Sequence, residues 1–116
     1  MKKLRDEQKV TLLRQEAAQG DARAQRLLAL RYFRGRGMEQ NYERAVLWMH
    51  KAAAQGLSLA LRDLAGFYRD GIGVRQDPAK ALTLYQAAAG RGDPIAKKYL
   101  RDMKIENGPQ EPGRLT

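Results

Sequence analysis

A 36-residue repeat is the feature that most constrains this sequence. When residues 20–55 are aligned with residues 56–91, twelve of the thirty-six positions are identical. The identical positions, numbered in the first copy, are 20, 24, 26, 28, 29, 32, 35, 37, 40, 45, 52 and 53. A period of this length indicates helical units that bury their apolar sides by stacking on copies of themselves.

Within each copy, the apolar spacing predicts two helices separated by a Gly-x-Gly loop. In the first copy Ala24, Leu28 and Tyr32 recur every four residues, which places them on one stripe of a helix. Gly35 suits the left-handed position that ends a helix, and Asn41 suits the N-cap of the next one. A phosphate-binding loop is disfavoured, because such loops follow a strand and the sequence predicts none.

The repeat organises residues 1–106 as one domain with an all-α fold of about five helices. The opening segment aligns with the second helix of the unit, so we expect it to cap the first full repeat. The last segment, 107–116, has two prolines and two glycines and is expected to be a flexible tail. The predicted units are a half-repeat cap (5–19), repeat one (20–55), repeat two (56–91) and a terminal helix (93–105).

Composition narrows the function more by what it lacks than by what it contains. The chain has no cysteine, which excludes disulfides, thiolate metal sites and cysteine nucleophiles. Its single histidine, His50, has no serine or carboxylate in register with it, so neither a catalytic triad nor a metal site is predicted. We therefore expect a protein that is not an enzyme and binds no cofactor, with His50 at the surface or at its boundary.

The charge and the opening residues bear on partners and location. A net charge of +9, from 22 basic and 13 acidic residues, favours acidic partners, although simple solubility would also account for it. No stretch reaches the roughly 20 apolar residues of a membrane span. The charged opening residues lack the apolar run of a secretory signal, so a cytoplasmic location is expected unless a leader has been removed.

The repeat also has a recognisable consensus. Both copies read Ala-x3-Leu-Ala-x2-Tyr-x2-Gly-x-Gly-x3-(Asp/Asn)-x3-Ala, and the first continues with Trp48 and the run from Ala52 to Gly56. This pattern resembles the Sel1-like repeat family, relatives of the tetratricopeptide repeats. The resemblance implies a right-handed superhelix of helix pairs whose concave side is lined by the first helix of each pair. It also implies an adaptor for other proteins, typical of bacteria, with toxin neutralisation among the possible roles.

Three cations suggest where a partner would bind. Arg26, Arg62 and Lys98 are spaced by 36 residues, so stacking aligns them along one face, and the resemblance places that position in the groove. A groove of this kind suits an acidic segment, because arginine binds carboxylates in a bidentate way. The alternative is a solvated face that recurs only because the repeat is duplicated. The predicted groove residues are Arg23, Arg26, Leu30, Phe33, Arg34, Leu59, Arg62, Arg69 and Lys98.

Two further alternatives follow from the same residues. Phe33 replaces the arginine found at position 69, so it either anchors a partner at the groove or packs on the N-terminal half repeat. The leading function is protein–protein interaction with an acidic segment, by a monomer or weak homodimer. Nucleic-acid binding is the alternative, which the net charge favours and the absence of a recognisable binding motif disfavours.

Overall fold

The chain folds into consecutive helices. The computed structural model describes residues 3–107, with side chains described as far as Lys104, and no strand occurs in that part of the chain. The helices of these residues are α1 (Asp6–Ala18), α2 (Ala22–Arg34), α3 (Tyr42–Ala54), α4 (Ser58–Asp70), α5 (Pro78–Gly90) and α6 (Pro94–Asn107). The six helices correspond to the predicted units, with one helix in the half-repeat cap, two in each repeat and one in the terminal segment. The predicted tail lies outside the described residues, except for Asn107, which ends α6.

Helix starts and ends follow the repeat. The side chains of Asp21, Asn41 and Asp77 each accept a hydrogen bond from the backbone N–H three residues later, at 2.9–3.0 Å. These bonds satisfy donors that the first turn of a helix leaves without a partner. Gly35 and Gly71 end α2 and α4 in the left-handed conformation, with φ of 68° and 71°. These residues therefore start and end the helices as the sequence predicts.

Each helix packs mainly on the helix that precedes it and the helix that follows it in the chain. The largest fully buried side chains are Leu28, Met49 and Leu64, one each on α2, α3 and α4. Alanines fill most of the remaining interior positions, which lets the helix axes approach closely. The result is a short right-handed solenoid of stacked helix pairs, which confirms the predicted fold class.

The second glycine of each Gly-x-Gly loop sets the stacking of one unit on the next. Gly37 lies against the backbone of Asp6, and Gly73 lies against the backbone of Tyr42. Asp6 and Tyr42 are themselves 36 residues apart and begin successive second helices. Both glycines have positive φ, and a Cβ at either position would collide with the neighbouring backbone. The recurrent glycine therefore serves a contact between units as well as a turn.

Two classes of feature are missing from the part of the chain that the structure describes. None of the helices is long and apolar enough to pass through a lipid bilayer. Residues 3–104, whose side chains are described, also contain no cluster of three or more histidine, aspartate or glutamate side chains placed to hold a metal ion.

Candidate functional site

The first helices of successive units present one common stripe to solvent. In α2 the stripe runs along Arg23, Leu27, Leu30 and Arg34, which is the i, i+4, i+7, i+11 spacing of one helix face. The equivalent residues follow by the repeat offset. We call this stripe the first-helix face, and it consists of Arg23, Leu27, Leu30, Arg34, Leu59, Asp63, Gly66, Asp70, Ile95, Tyr99 and Asp102.

Apolar side chains are prominent on the first-helix face. Leu27 is 45% exposed, Leu59 37% and Ile95 57%, although the interior of the same helices is closely packed. These three residues occupy the same side of α2, α4 and α6. Leu59 was among the predicted groove residues, whereas Leu27 and Ile95 were not predicted. Leu59 and Ile95 occupy equivalent positions of the repeat, whereas Leu27 lies one turn further along α2.

We call Arg26, Arg62 and Lys98 the cation ladder, and the first two lie at the seams between first helices, beside the first-helix face. The Nε atom of Arg26 lies 2.7 Å from Oδ2 of Asp63 on the next first helix. Arg62 in turn lies 3.2 Å from Asp93, the residue that caps α6. It also lies 3.7 Å from its chain neighbour Asp63, so that Asp63 contacts both arginines. The structure thus brings Arg26 and Arg62 together in an alternating chain of charges that crosses three units.

Because of these ion pairs, not every predicted groove cation is free to bind a partner. The Arg26 and Arg62 side chains are only 19% and 18% exposed, and each lies against a carboxylate of its own chain. Lys98 is exposed but lies 2.6 Å from Asp102, one turn further along α6. The repeat pattern could not reveal these pairs, because Asp63 corresponds to Leu27 in one unit and Tyr99 in the other. The only sign in the sequence that Asp63 pairs with a cation was its position next to Arg62.

Phe33 and Arg69, which occupy equivalent positions, both take part in packing. The Phe33 ring lies 5.5 Å from the rings of Tyr42 in the same unit and of Phe67 in the following unit. Arg69 donates a hydrogen bond to the Tyr85 hydroxyl at 2.8 Å and pairs with Asp70 at 2.9 Å. The pairing with Asp70 raises the pKa of Arg69 above its usual value and lowers that of the Asp70 carboxyl.

Arg23 and Arg34 are the predicted groove cations with the greatest freedom to meet a ligand. Both are exposed, and no carboxylate among the residues with described side chains forms an ion pair with either. They stand eleven residues apart on α2, about 16 Å along the helix axis, with Leu27 and Leu30 between them. The first-helix face of α2 therefore combines two available guanidinium groups with a partly exposed apolar strip.

His50 is half-buried on α3, as expected for a residue at the surface boundary. One of its ring nitrogens lies 2.8 Å from the Tyr68 hydroxyl, and the Lys80 ammonium lies 4.8 Å from the centre of the Tyr68 ring. Desolvation, followed by the positive charge of Lys80, lowers the pKa of His50 below 6.5. These contacts join α3, α4 and α5, so we interpret His50 as a residue that supports packing between units.

The lowered pKa predicts that stability declines as the solution is acidified. The unfolded chain takes up a proton near pH 6.5, whereas the folded chain resists it, so unfolding becomes more favourable as the pH falls below 6.5. Urea unfolding of the wild type and of His50→Gln, measured between pH 7.5 and 5.5, should show a steeper decline in the wild type. Equal pH dependence of the two proteins would contradict this assignment. The carboxylates with shifted pKa titrate below 3.8, outside this range.

Comparison with known proteins agrees with the fold and with the repeat. The Sel1 repeat family model matches residues 22–57 and 58–93, two units of the length seen in the sequence. The crystal structure of a Sel1 repeat protein from Oxalobacter formigenes superposes with a TM-score of 0.78 at 36% sequence identity. That match covers 80% of this chain and 70% of the other.

Two further solved structures extend the comparison. The protein c5321, a protective antigen of uropathogenic Escherichia coli strains with an SLR fold, gives a TM-score of 0.79 at 31% identity. The match covers 89% of this chain but only 22% of that longer protein. Cysteine-rich protein B of Helicobacter pylori has the same fold at 18% identity, with a TM-score of 0.75 over 78% of this chain and 68% of its own. No curated protein sequence matches this chain.

The family match covers more than half of the chain, and its two units coincide with two of the helix pairs, α2 with α3 and α4 with α5. The chain belongs to the Sel1 repeat family.

Proposed function

We propose that this protein is an interaction module that holds a segment of a partner protein, rich in acidic and apolar residues, on its first-helix face. Sel1-like repeat proteins are in general protein–protein interaction modules, and the fold is a scaffold rather than a catalytic framework. The observation that carries the proposal is the juxtaposition of exposed Leu27 and Leu59 with the available guanidinium groups of Arg23 and Arg34.

The apolar row supports binding of an extended or helical segment. Leu27, Leu59 and Ile95 are exposed on three successive first helices, so a segment lying across them would cover one apolar side chain per unit. Burial of apolar surface contributes about 25 cal/mol per Å², so even partial cover of three such side chains favours binding. Leu30, half-buried between Leu27 and Arg34, widens this strip.

The charges support an acidic partner. Arg23 and Arg34 flank the apolar strip on α2 and would each donate paired hydrogen bonds to a carboxylate of the partner. Arg26 and Arg62 contribute less in this arrangement, because Asp63 and Asp93 already neutralise them. Their role as partner-binding residues, together with that of Lys98, stays a prediction. Phe33 and Arg69 would shape the edge of the surface from their packed positions.

Peptide binding tests this proposal directly. The probe is a fluorescein-labelled 12-residue peptide with two leucines and three glutamates, and the measurement is fluorescence anisotropy. The double variant R23E/R34E should weaken binding by at least about tenfold, a loss of about 1.4 kcal/mol, since each change replaces attraction by repulsion. The control R14E/R44E alters the net charge equally at exposed positions of α1 and α3, outside the first-helix face. Equal losses in the two variants would contradict the proposal.

A third variant tests whether Arg26 and Arg62 contribute to peptide binding. Asp63→Asn removes the carboxylate that lies against both Arg26 and Arg62. If the ladder contributes to binding, the acidic peptide should bind several-fold more tightly to this variant, because two guanidinium groups lose a competing partner. Unchanged affinity would limit the binding charges to Arg23 and Arg34. Tighter binding of a DNA duplex than of the peptide would instead favour the nucleic-acid alternative.

A further inference from the structure

The last helix differs from the other first helices on the side where a second helix would pack. This side consists of Gln25, Ala29 and Tyr32 in α2. In α4 it consists of Leu61, Ala65 and Tyr68, and five of these six residues are buried. At the equivalent positions α6 carries three cations, all exposed: Lys97, Arg101 and Lys104.

The partial exposure of Leu100 shows that no described helix covers this side of α6. Leu28 and Leu64 are 0% and 1% exposed beneath the helix pairs of their own units. Their counterpart Leu100 is only half-buried, because no described element packs over it. The exposed side of α6 therefore consists of a partly open leucine beside three cations spaced i, i+4 and i+7.

Among the described side chains, the charges on this side of α6 are of one sign. No carboxylate with a described side chain pairs with Lys97, Arg101 or Lys104, and Asp102 of the same helix pairs with Lys98 on another side. A terminal helix needs only a polar outer side to remain soluble, and a mixture of signs would serve. A stripe of cations at helical spacing instead complements a stripe of anions at the same spacing.

We propose that this side of α6 is a docking surface for an amphipathic helix of a partner protein, bound where the second helix of the third unit would lie. The docked helix would place an apolar side chain over Leu100 and acidic side chains opposite Lys97, Arg101 and Lys104. The second helices α3 and α5 each have 13 residues, so a helix of about that length, roughly 20 Å, matches the site. This surface is separate from the first-helix face.

A second copy of this chain is a poorer occupant than an acidic helix. Among the described second helices, α1 lacks a first helix before it, and its residues at the relevant positions are Lys9, Leu13 and Glu16. The counterparts of Lys9 and Glu16 in α3 are the small residues Ala45 and Ala52, both 0% exposed. Docking α1 of another copy on α6 would place the long side chains of Lys9 and Glu16 where close packing needs alanine, which disfavours head-to-tail association.

The test uses the whole chain and a labelled helical probe. The probe is a 14-residue peptide with glutamates at positions i, i+4 and i+7 beside two leucines, and its control has glutamines in place of the glutamates. Anisotropy titration should give binding to the wild type at least about tenfold tighter for the acidic probe. The variant K97E/R101E/K104E should lose this preference, and raising the salt from about 0.05 M to 0.5 M should weaken the wild-type interaction.

Several outcomes would overturn the proposal. These are unchanged affinity in K97E/R101E/K104E, equal binding of the two probes, or self-association in sedimentation equilibrium that the triple variant abolishes. A DNA duplex that binds through the same three residues more tightly than the acidic probe would also overturn it. R23E/R34E should bind this helical probe normally, so failure at α6 and failure of the first-helix face are distinguishable. All five substituted positions are exposed, and unchanged thermal unfolding confirms that the variants are folded.

Discussion

Replacement of Gly73 by alanine is expected to lower the free energy of unfolding by about 3 kcal/mol. One part of the loss arises because an L-residue at a φ of 67° costs about 1–2 kcal/mol. The other part arises because the new Cβ would collide with the Tyr42 carbonyl and lie 2.9 Å from a Val46 methyl group, which forces the two units apart. Overpacking of this kind costs about 1–3 kcal/mol.

Gly20→Ala is the matched control for this prediction. Gly20 also has positive φ, at 98°, but nothing lies within 4 Å of a Cβ built on it. Only the backbone cost applies there, so the loss should be about 1–2 kcal/mol and the variant should be the more stable of the two. Urea unfolding followed by circular dichroism gives both values. If Gly73→Ala were no less stable than Gly20→Ala, the contact between loop and neighbouring helix would not limit the stacking.

Truncation of Leu64 to alanine is expected to cost about 3–4 kcal/mol. Leu64 is 1% exposed in the second full unit, and large-to-small changes at such sites lose both transfer free energy and packing around the cavity, in total about 2–5 kcal/mol. Because the units of a solenoid are stabilised by their neighbours, loss of packing in one full unit should affect the whole chain. Thermal and urea unfolding measure the effect.

Leu59→Ala on the same helix separates folding from binding. Leu59 is 37% exposed on the first-helix face, so its truncation should cost less than about 1 kcal/mol of stability. The same change should weaken binding of the acidic, leucine-containing peptide, because it removes apolar area from the proposed surface. A Leu59→Ala variant that unfolds as readily as Leu64→Ala would contradict the distinction between the two leucines.

Much of the fold could be predicted because its determinants are local and repeated. Asp21, Asn41 and Asp77 cap helices through bonds that reach only three residues along the chain. Gly35 and Gly71 end helices through their own backbone conformation. Such short-range rules give the same result wherever the motif occurs, so a sequence that contains the motif twice predicts two copies of the same helix pair.

The candidate surfaces could be predicted only in part, because they depend on residues that break the repeat. Arg26 and Arg62 occupy equivalent positions of the repeat, but their pairing with Asp63 and Asp93 joins positions 37 and 31 residues apart in the chain. Phe33 could equally have faced a partner, and only its contacts with Tyr42 and Phe67 show it packed between units. The cations at 97, 101 and 104 indicate a docking surface only in combination with the half-buried Leu100, and the exposure of Leu100 is known only from the structure.

The sequence by itself therefore determined the period, the helix pairs and the family. The residues that cap and end the helices act within a few turns of their own helix, and they recur every 36 residues. The tertiary structure alone decided which charges are neutralised within the chain and which remain available to a partner. The physical reason is that an ion pair depends on distances of a few ångströms between units, which stacking creates and no local pattern encodes.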